Sequence, residues 1–350
     1  MTVHRRWNPL NRRWVLVSPH RTQRPWQGQQ EIAAQSSSLD HDPQCYLCPG
    51  NRRANGETNP KYETTFAFEN DFAALLPHPQ PRPQATNTLL RAEPEAGVCR
   101  VLCYSPHHSL TMSRMSAQQI ETVIQLWRRE DDELAAIPWV RTIQIFENRG
   151  EMMGASNPHP HGQLWANETI PDEIAVEADS QNAHWQATGH SLLGDYLEEE
   201  SEISERIVCA NDGFVALVPF WAVWPFETIV IPRRHYGSIQ EQTPNEDRHL
   251  AALLGELTIR YDNLFESPFP YSFGLHQRPV NGGPEAGWHF HMHFYPPLLR
   301  GITVRKFLVG YEMLAQPQRD IMPEAAALRL REAGIDPYWL GQTTGSRPSR

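Results

Sequence analysis

The spacing of apolar residues along this chain changes period several times, and each change marks an element. Val101-Leu102-Cys103-Tyr104 is a continuous apolar run of strand length, and after Ser116 the residues Ile120, Val123, Ile124, Trp127 and Leu134 fall on one face of a helical repeat. Ser116 with Gln119 three residues later is a capping-box pattern, so a helix is predicted to open there. Trp139 to Phe146, rich in β-branched and aromatic residues, reads as the next strand. The same order then recurs. Ile229-Val230-Ile231 is a strand, Leu250, Leu253, Leu254, Leu257, Tyr261 and Leu264 line one face of a second helix, and Tyr271 to His276 is again a strand. His289 to Phe294 alternates strictly, which predicts one face of His289, His291 and His293 with Phe290, Met292 and Phe294 packed behind.

Histidines punctuate both sets at similar distances: 51 residues separate His108 from His159, and 56 separate His235 from His291. Strand, histidine, helix, strand and paired histidine recur in order, which predicts an α+β fold made by internal duplication. The halves are placed at 1–171 and 172–350.

The first half ends on Gly154-Ala155-Ser156-Asn157-Pro158-His159-Pro160-His161-Gly162-Gln163. Histidines two residues apart in extended backbone put both rings on one face. Pro158 and Pro160 remove amide donors and fix φ around His159, so a stiff extended rail is expected, neither helix nor central strand. Gly162 is expected to let a ligand approach the backbone, with the Gln163 amide beside it. One imidazole of such a rail can face a metal and the other a phosphate; taken alone, the motif favours a surface turn with two solvated histidines.

Composition narrows the class. The chain has 350 residues, 40% hydrophobic and 21% charged, as in an ordinary globular protein. With 31 basic against 41 acidic side chains the net charge is -10, and no basic run stands out, so a nucleic-acid partner is not expected. The longest apolar stretch, Gly213 to Phe226, is broken by Pro219 and Pro225, so no membrane span is expected. Five cysteines, an odd number, and no apolar leader imply a reducing compartment, the cytoplasm.

Cys45 and Cys48 form a CxxC turn, which is half of a tetrahedral metal site or, as the competing reading, a redox pair. Cys99, Cys103 and Cys209 read as buried thiols. Arg12, Arg13, Arg21 and Arg24 make the N-terminal region arginine-rich, suited to phosphate oxygens or to a solvated arm. Residues 27–44 and 77–87 read as loops, and Asn70-Asp71 as a strand end. Two of the three histidines near His291, with His276 from a neighbouring strand, suit a second metal; one acid of the run 172–205 can reach it, most of them being solvated helix face.

His159-Pro160-His161-Gly162-Gln163, the CxxC at Cys45, Ser105-Pro106-His107-His108-Ser109 and His291-Met292-His293-Phe294-Tyr295-Pro296-Pro297 together resemble the galactose-1-phosphate uridylyltransferase family, within the histidine-triad superfamily. The likeness runs from about Trp7 to about Arg331 and includes Trp224 to Thr228 and Val304 to Phe307; Glu332 to Arg350 match nothing placed. It implies duplicated histidine-triad-like units forming an antiparallel half-barrel sheet with flanking helices. By the same resemblance His161 is the nucleophile of a ping-pong exchange of UMP between UDP-glucose and galactose 1-phosphate, in galactose metabolism, with Gln163 and Ser156 as phosphoryl donors. Because the attacking nitrogen must be unprotonated, the other ring nitrogen is expected to bond a carbonyl, that of His159. Cys45, Cys48, His108 and His159 match zinc ligands; Glu177, His276, His291 and His293 match a second site for iron or zinc. Arg21, Arg24, Asn70, Asp71 and Asn148 match nucleotide contacts, the arginines across a homodimer with shared active sites; Lys306, Phe307, Tyr311, Glu312 and Gln318 match sugar contacts. Ala155 departs from the cysteine frequent in the family. The alternatives are a phosphorylase or hydrolase using His161 on an adenine nucleotide, and a non-enzymatic zinc-dependent binding protein.

Overall fold

A computed structural model describes residues 2–23, 39–77, 89–282, 286–301, 304–306 and 308–341, without the side chains of 22–23, 298–301 and 304–306. The chain opens with a hairpin, β1 (His4–Asn8) and β2 (Arg13–Val17), then β3 (Phe66–Glu69) and β4 (Gly97–Cys103). Helix α1 (Ala117–Ala135) leads to β5 (Thr142–Arg149) and β6 (His161–Asn167). Two helices follow, α2 (Asp172–Thr188) and α3 (Leu192–Ile203), then β7 (Ile207–Ala210), β8 (Phe214–Leu217) and β9 (Thr228–Pro232). Helix α4 (Pro244–Leu264) precedes β10 (Tyr271–His276) and β11 (His291–Tyr295). A small hairpin, β12 (Leu298–Gly301) and β13 (Val304–Lys306), short α5 (Tyr311–Leu314), β14 (Gln318–Arg319), α6 (Pro323–Glu332) and short α7 (Tyr338–Gly341) complete the described chain.

The main sheet is antiparallel, in the order β3-β4-β6-β5-β10-β11-β9-β8-β7. Around the β5–β10 seam the order is mirrored: β5 answers to β10, β6 to β11, β4 to β9 and β3 to β8. Helices α1 and α4 occupy the matching connections, pack on each other, and open with matching capping boxes, Ser116/Gln119 and Thr243/Glu246. The fold is α+β, an open antiparallel sheet flanked by helices, as predicted.

Strand alternation sorts side chains to two faces. On one, Ile145, Leu164, Phe214, Val230, Phe273, Met292 and Phe294 bury themselves against Ile120, Val123, Ile124 and Trp127 of α1 and Leu250, Leu253, Leu254 and Leu257 of α4. The opposite face is covered differently in each half. Leu192, Leu193 and Leu197 of α3 pack on Val215, Leu217, Ile229 and Ile231 in the second, whereas the Cys45 turn packs on Val101 and Cys103 in the first. This leaves an opening beside β6.

Several boundaries differ from the sequence reading. His161 is the first residue of β6, a central strand between β4 and β5, although the prolines argued against one. Pro158 and Pro160 lie just outside the ladder, so neither removes a sheet donor; the extended rail is confined to the residues before His161. Strand β5 begins and ends three residues later than expected, at Thr142 and Arg149. Within the loops assigned to 27–44 and 77–87, residues 27–38 and 78–87 lie outside the described residues. Among the described residues no helix is long and apolar enough to cross a membrane.

Candidate active site

Cys45, Cys48, His108 and His159 are buried and converge, their ligand atoms all within 4.8 Å of one another. Cys48 Sγ lies 3.5 Å from both His108 Nδ1 and His159 Nδ1. His159 Nε2–H donates to the Ser105 carbonyl at 2.8 Å, which leaves the Nδ1 lone pair turned to the thiols. Burial holds the His159 pKa down to about 4, so the ring is neutral. Two thiols and two imidazoles at one point fit a tetrahedral cation site. Asn157 ties the site to the rail: its Oδ1 accepts the His159 amide at 2.9 Å and its Nδ2 donates to Cys45 Sγ at 3.3 Å. Its signal in the sequence is an Asn two residues before a residue whose amide needs a partner.

The second cluster, Glu177 from α2, His276 from β10 and His291 and His293 from β11, has its ligand atoms equally within 4.8 Å. His291 Nδ1–H donates to the His289 carbonyl at 2.8 Å, and His291 Nε2 and both nitrogens of His293 are buried without hydrogen bonds, as expected of nitrogens meant for a cation. His289 stays out of this cluster. Its Nε2 bonds the Pro232 carbonyl at 3.0 Å and its Nδ1 meets Ser191 Oγ at 2.8 Å, because β11 begins only at His291.

His161 stands at the mouth of β6. Its Nδ1–H donates to the His159 carbonyl at 2.7 Å, the bond expected from the sequence, so Nε2 carries the lone pair. Burial pushes its pKa below the ordinary histidine value, although the carbonyl bond opposes the shift. His161 and Ser156 line two clefts. One, of about 380 Å³, also includes Asn148, Asn157, Gly150, Arg149 and Glu147. The other, of about 350 Å³, is walled by Leu47, Phe68 and Val101, with Asn70, Asp71 and Gln163 as polar groups. Gln163 Oε1 accepts from Trp165 Nε1–H at 3.2 Å, which leaves its amide nitrogen to donate. Asn148 Oδ1 accepts from Ser272 Oγ–H at 2.6 Å and is oriented in the same way.

The fold therefore gathers His161, Gln163, Ser156, Asn70, Asp71 and Asn148. Arg21, Tyr311, Glu312 and Gln318 are not among the described lining of either cleft. Glu312 instead pairs with Arg319 at 3.1 Å, and Gln318 is buried in β14. Arg24, Phe307 and the Lys306 side chain lie outside the described residues. Gly162 differs from expectation. A Cβ there would lie 2.1 Å from the Tyr104 hydroxyl on the helix-packed face, so the missing side chain makes room for a core tyrosine rather than for a ligand. Tyr104 was not marked as a site residue by any local signal; the sheet register alone brings it behind β6.

Comparison with known proteins matches residues 1–171 to the galactose-1-phosphate uridyl transferase N-terminal domain and residues 177–339 to its C-terminal domain. Galactose-1-phosphate uridylyltransferase of Haemophilus influenzae is 49% identical over 94% of this chain and 93% of its own length. The enzyme of that name from Rattus norvegicus is 50% identical over 97% and 90%. A solved uridylyltransferase superposes with a TM-score of 0.75 at 25% identity over 98% of this chain and all of its own. An ADP-glucose phosphorylase from Arabidopsis thaliana shares the fold, with a TM-score of 0.73 at 22% identity over 95% of this chain and 99% of its own. Two adjoining domain matches and near-half identity over almost the full length place this chain in the galactose-1-phosphate uridylyltransferase family.

Proposed function

We propose that this enzyme exchanges a uridylyl group between UDP-glucose and galactose 1-phosphate, in galactose metabolism, through a covalent uridylyl-His161. The single observation that carries the reading is His161 itself: Nδ1 held by the His159 carbonyl, and a depressed pKa that keeps Nε2 unprotonated at the junction of two clefts. In the first step the Nε2 lone pair forms an N–P bond to the α-phosphorus. The bond from that phosphorus to the bridging oxygen breaks, and glucose 1-phosphate leaves with the electron pair. In the second, a phosphate oxygen of galactose 1-phosphate forms the new P–O bond and the pair returns to Nε2. Leaving group and second nucleophile are phosphate oxygens already anionic at neutral pH, so neither step needs a general acid or base. The His159 carbonyl serves throughout, since it stabilises the imidazolium character of the intermediate.

The cleft walled by Phe68 and Val101, with Asn70 and Asp71 at its edge, suits a pyrimidine and its ribose, while Ser156 and the Gln163 amide supply donors to phosphoryl oxygens. Asn148 lines the other cleft, where the departing sugar phosphate has room. Cys45, Cys48, His108 and His159 would hold zinc, and Glu177, His276, His291 and His293 iron or zinc. A zinc ion in the first set would fasten the rail with one residue between the fastening point and the nucleophile. In this reading residues 1–171 carry the nucleophile and 172–350 the second metal. Arg21 and Arg24 reach the nucleotide across the interface of a cytoplasmic homodimer, and Lys306, Phe307, Tyr311, Glu312 and Gln318 are contacts near the sugar.

The test uses UDP-glucose labelled at the α-phosphate without acceptor, quenched in alkali. Acid-labile label on the protein, matched by glucose 1-phosphate and absent from His161→Ala, supports the covalent step. No label on metal-replete protein rejects UDP-glucose as the donor and favours an adenine nucleotide.

A further inference from the structure

Behind the nucleophile strand lies a group of polar atoms that the transfer chemistry does not use. Glu147 sits on β5, which pairs with β6 on one side and β10 on the other. Phe146 pairs with Gln163 and shares its face, so Glu147 projects to the other face, toward α1, with Gly162. There the Tyr104 hydroxyl lies against Gly162 so closely that a Cβ would overlap it. Glu147 Oε2, Tyr104 OH, Tyr271 OH and Trp127 Nε1 are all buried without hydrogen bonds. Four such orphans in one place are unusual for a folded core. Their rings are neighbours: Tyr104 meets Trp127 edge-on at 6.0 Å, Trp127 meets Phe273 at 5.6 Å, and Phe273 meets Tyr271 at 6.1 Å. Glu147 is also part of the floor of the larger cleft that reaches His161.

We propose that Glu147 is a positioning residue for the transfer site, which closes this buried cluster behind Gly162 and keeps His161 and Gln163 in register. This inference rests on the uridylyl-transfer reading of the same site. The surroundings favour the neutral form. Facing Glu147 are Tyr104 from the end of β4, Trp127 from α1, Phe273 and Tyr271 from β10, and Arg149 from its own strand. Arg149 is the one cation among them, and Asp262 of α4 already holds it through two bonds of 2.9 Å. Burial pushes the Glu147 carboxyl up to about 8, with Arg149 the only opposing influence. Tyr104 and Tyr271 are themselves held far above the ordinary tyrosine range by burial, so neither titrates first. Arg114, which also lines the cleft, is exposed. Ionisation of Glu147 therefore places an uncompensated charge directly behind the strand that carries the nucleophile.

The experiment measures the single-turnover rate of label transfer from UDP-glucose to zinc-replete protein across alkaline pH, for the native chain, Glu147→Gln, Glu147→Ala and Tyr104→Phe. For a group titrating at about 8, the native rate falls about tenfold one pH unit above that point. Glu147→Gln keeps the size and shape of the side chain and cannot ionise, so its alkaline limb is expected to be flat. Glu147→Ala is expected to be slow at every pH, and Tyr104→Phe to displace the limb. An infrared carbonyl band of a buried protonated carboxyl, lost on the same titration and absent from Glu147→Gln, gives a readout independent of turnover. An identical alkaline limb in the native chain and Glu147→Gln overturns the proposal. If Glu147→Gln does not fold, an unmoved limb in Tyr104→Phe does the same. Absence of label at every pH instead rejects the transfer reading and is thereby distinguished.

Discussion

His161 and His291 hold matching places in the two halves, and each gives its Nδ1–H to the carbonyl two residues before it, at 2.7 and 2.8 Å. What differs is what the remaining nitrogen meets. His161 is half-exposed, with two clefts in front of it. His291 is fully buried, with Glu177 Oε2 3.4 Å from its Nε2 and two further imidazoles around it. On the proposed reading, one local device serves a nucleophile where the outer face is left open, and a metal ligand where α2 closes over it with a carboxylate. The covering layer, not the histidine motif, would then separate the two chemistries.

The widest separation is expected from removing each ring in turn. His161→Ala is expected to abolish protein labelling and lower turnover by about 10⁴-fold or more, with both metals retained. His291→Ala is expected to lose the second metal and lower the melting temperature while labelling at His161 persists. Metal analysis beside labelling decides it. If His161→Ala loses metal, all the histidines are ligands and the contrast between the halves collapses.

Next in size is the first metal site. Cys48→Ser removes the sulfur that lies 3.5 Å from Nδ1 of both His108 and His159. It is expected to lose one metal equivalent and about 100-fold in transfer rate, since the anchor of the rail goes with it. Chelation of the native chain should reproduce the loss, and zinc should restore it. Unchanged activity in metal-free protein would show that the rail is held by its Asn157 and Ser105 bonds alone.

A smaller effect is expected at Gly162, whose counterpart in β11 is Met292, a fully buried core side chain. One half accepts a long side chain where the other accepts none, because Tyr104 fills that volume. Gly162→Ala is expected to cost about 1–3 kcal/mol of stability from overpacking. Combining it with Tyr104→Phe, which removes the overlapping oxygen, should recover part of the loss. Denaturant unfolding of the three variants measures this coupling. No recovery would return Gly162 to the role of ligand approach.

These cases show what could be read before the fold was known. The two clusters that could hold a metal, the bond from His161 to the His159 carbonyl and the Ser116 capping box were legible because each rests on short spacings or on motif resemblance. The mirrored sheet was legible from the repeated order of strand, histidine, helix and strand. Tyr104 behind Gly162, and Glu147 beside it, were not. Their meaning comes from register across β4, β6, β5 and β10, which no local spacing records. His161 as the start of a central strand was missed for a narrower reason: a proline adjoining a ladder costs no hydrogen bond, whereas one inside it does. Glu177 was legible only by resemblance, since the first half of its helix also carries Asp172, Glu173 and Asp179, and composition alone does not single out the buried one.

The smallest effect concerns pH and tests the comparison at the nucleophile itself. Burial lowers the His161 pKa in the folded chain relative to the unfolded one, so the proton is bound less readily in the native state. The sign follows: neutral His161 costs no stability above the unfolded value, and stability falls as pH drops below it, because only the unfolded chain takes up the proton freely. For labelling, the neutral ring is the competent form, so the acid limb of the first half-reaction is expected to lie below 6.5, the ordinary value for histidine. Rapid-quench labelling at saturating UDP-glucose across the acid range measures it, with metal content checked at each pH. A limb at or above the ordinary value would mean that the His159 carbonyl bond outweighs burial, and that the open cleft solvates His161 far more than it does the sealed His291.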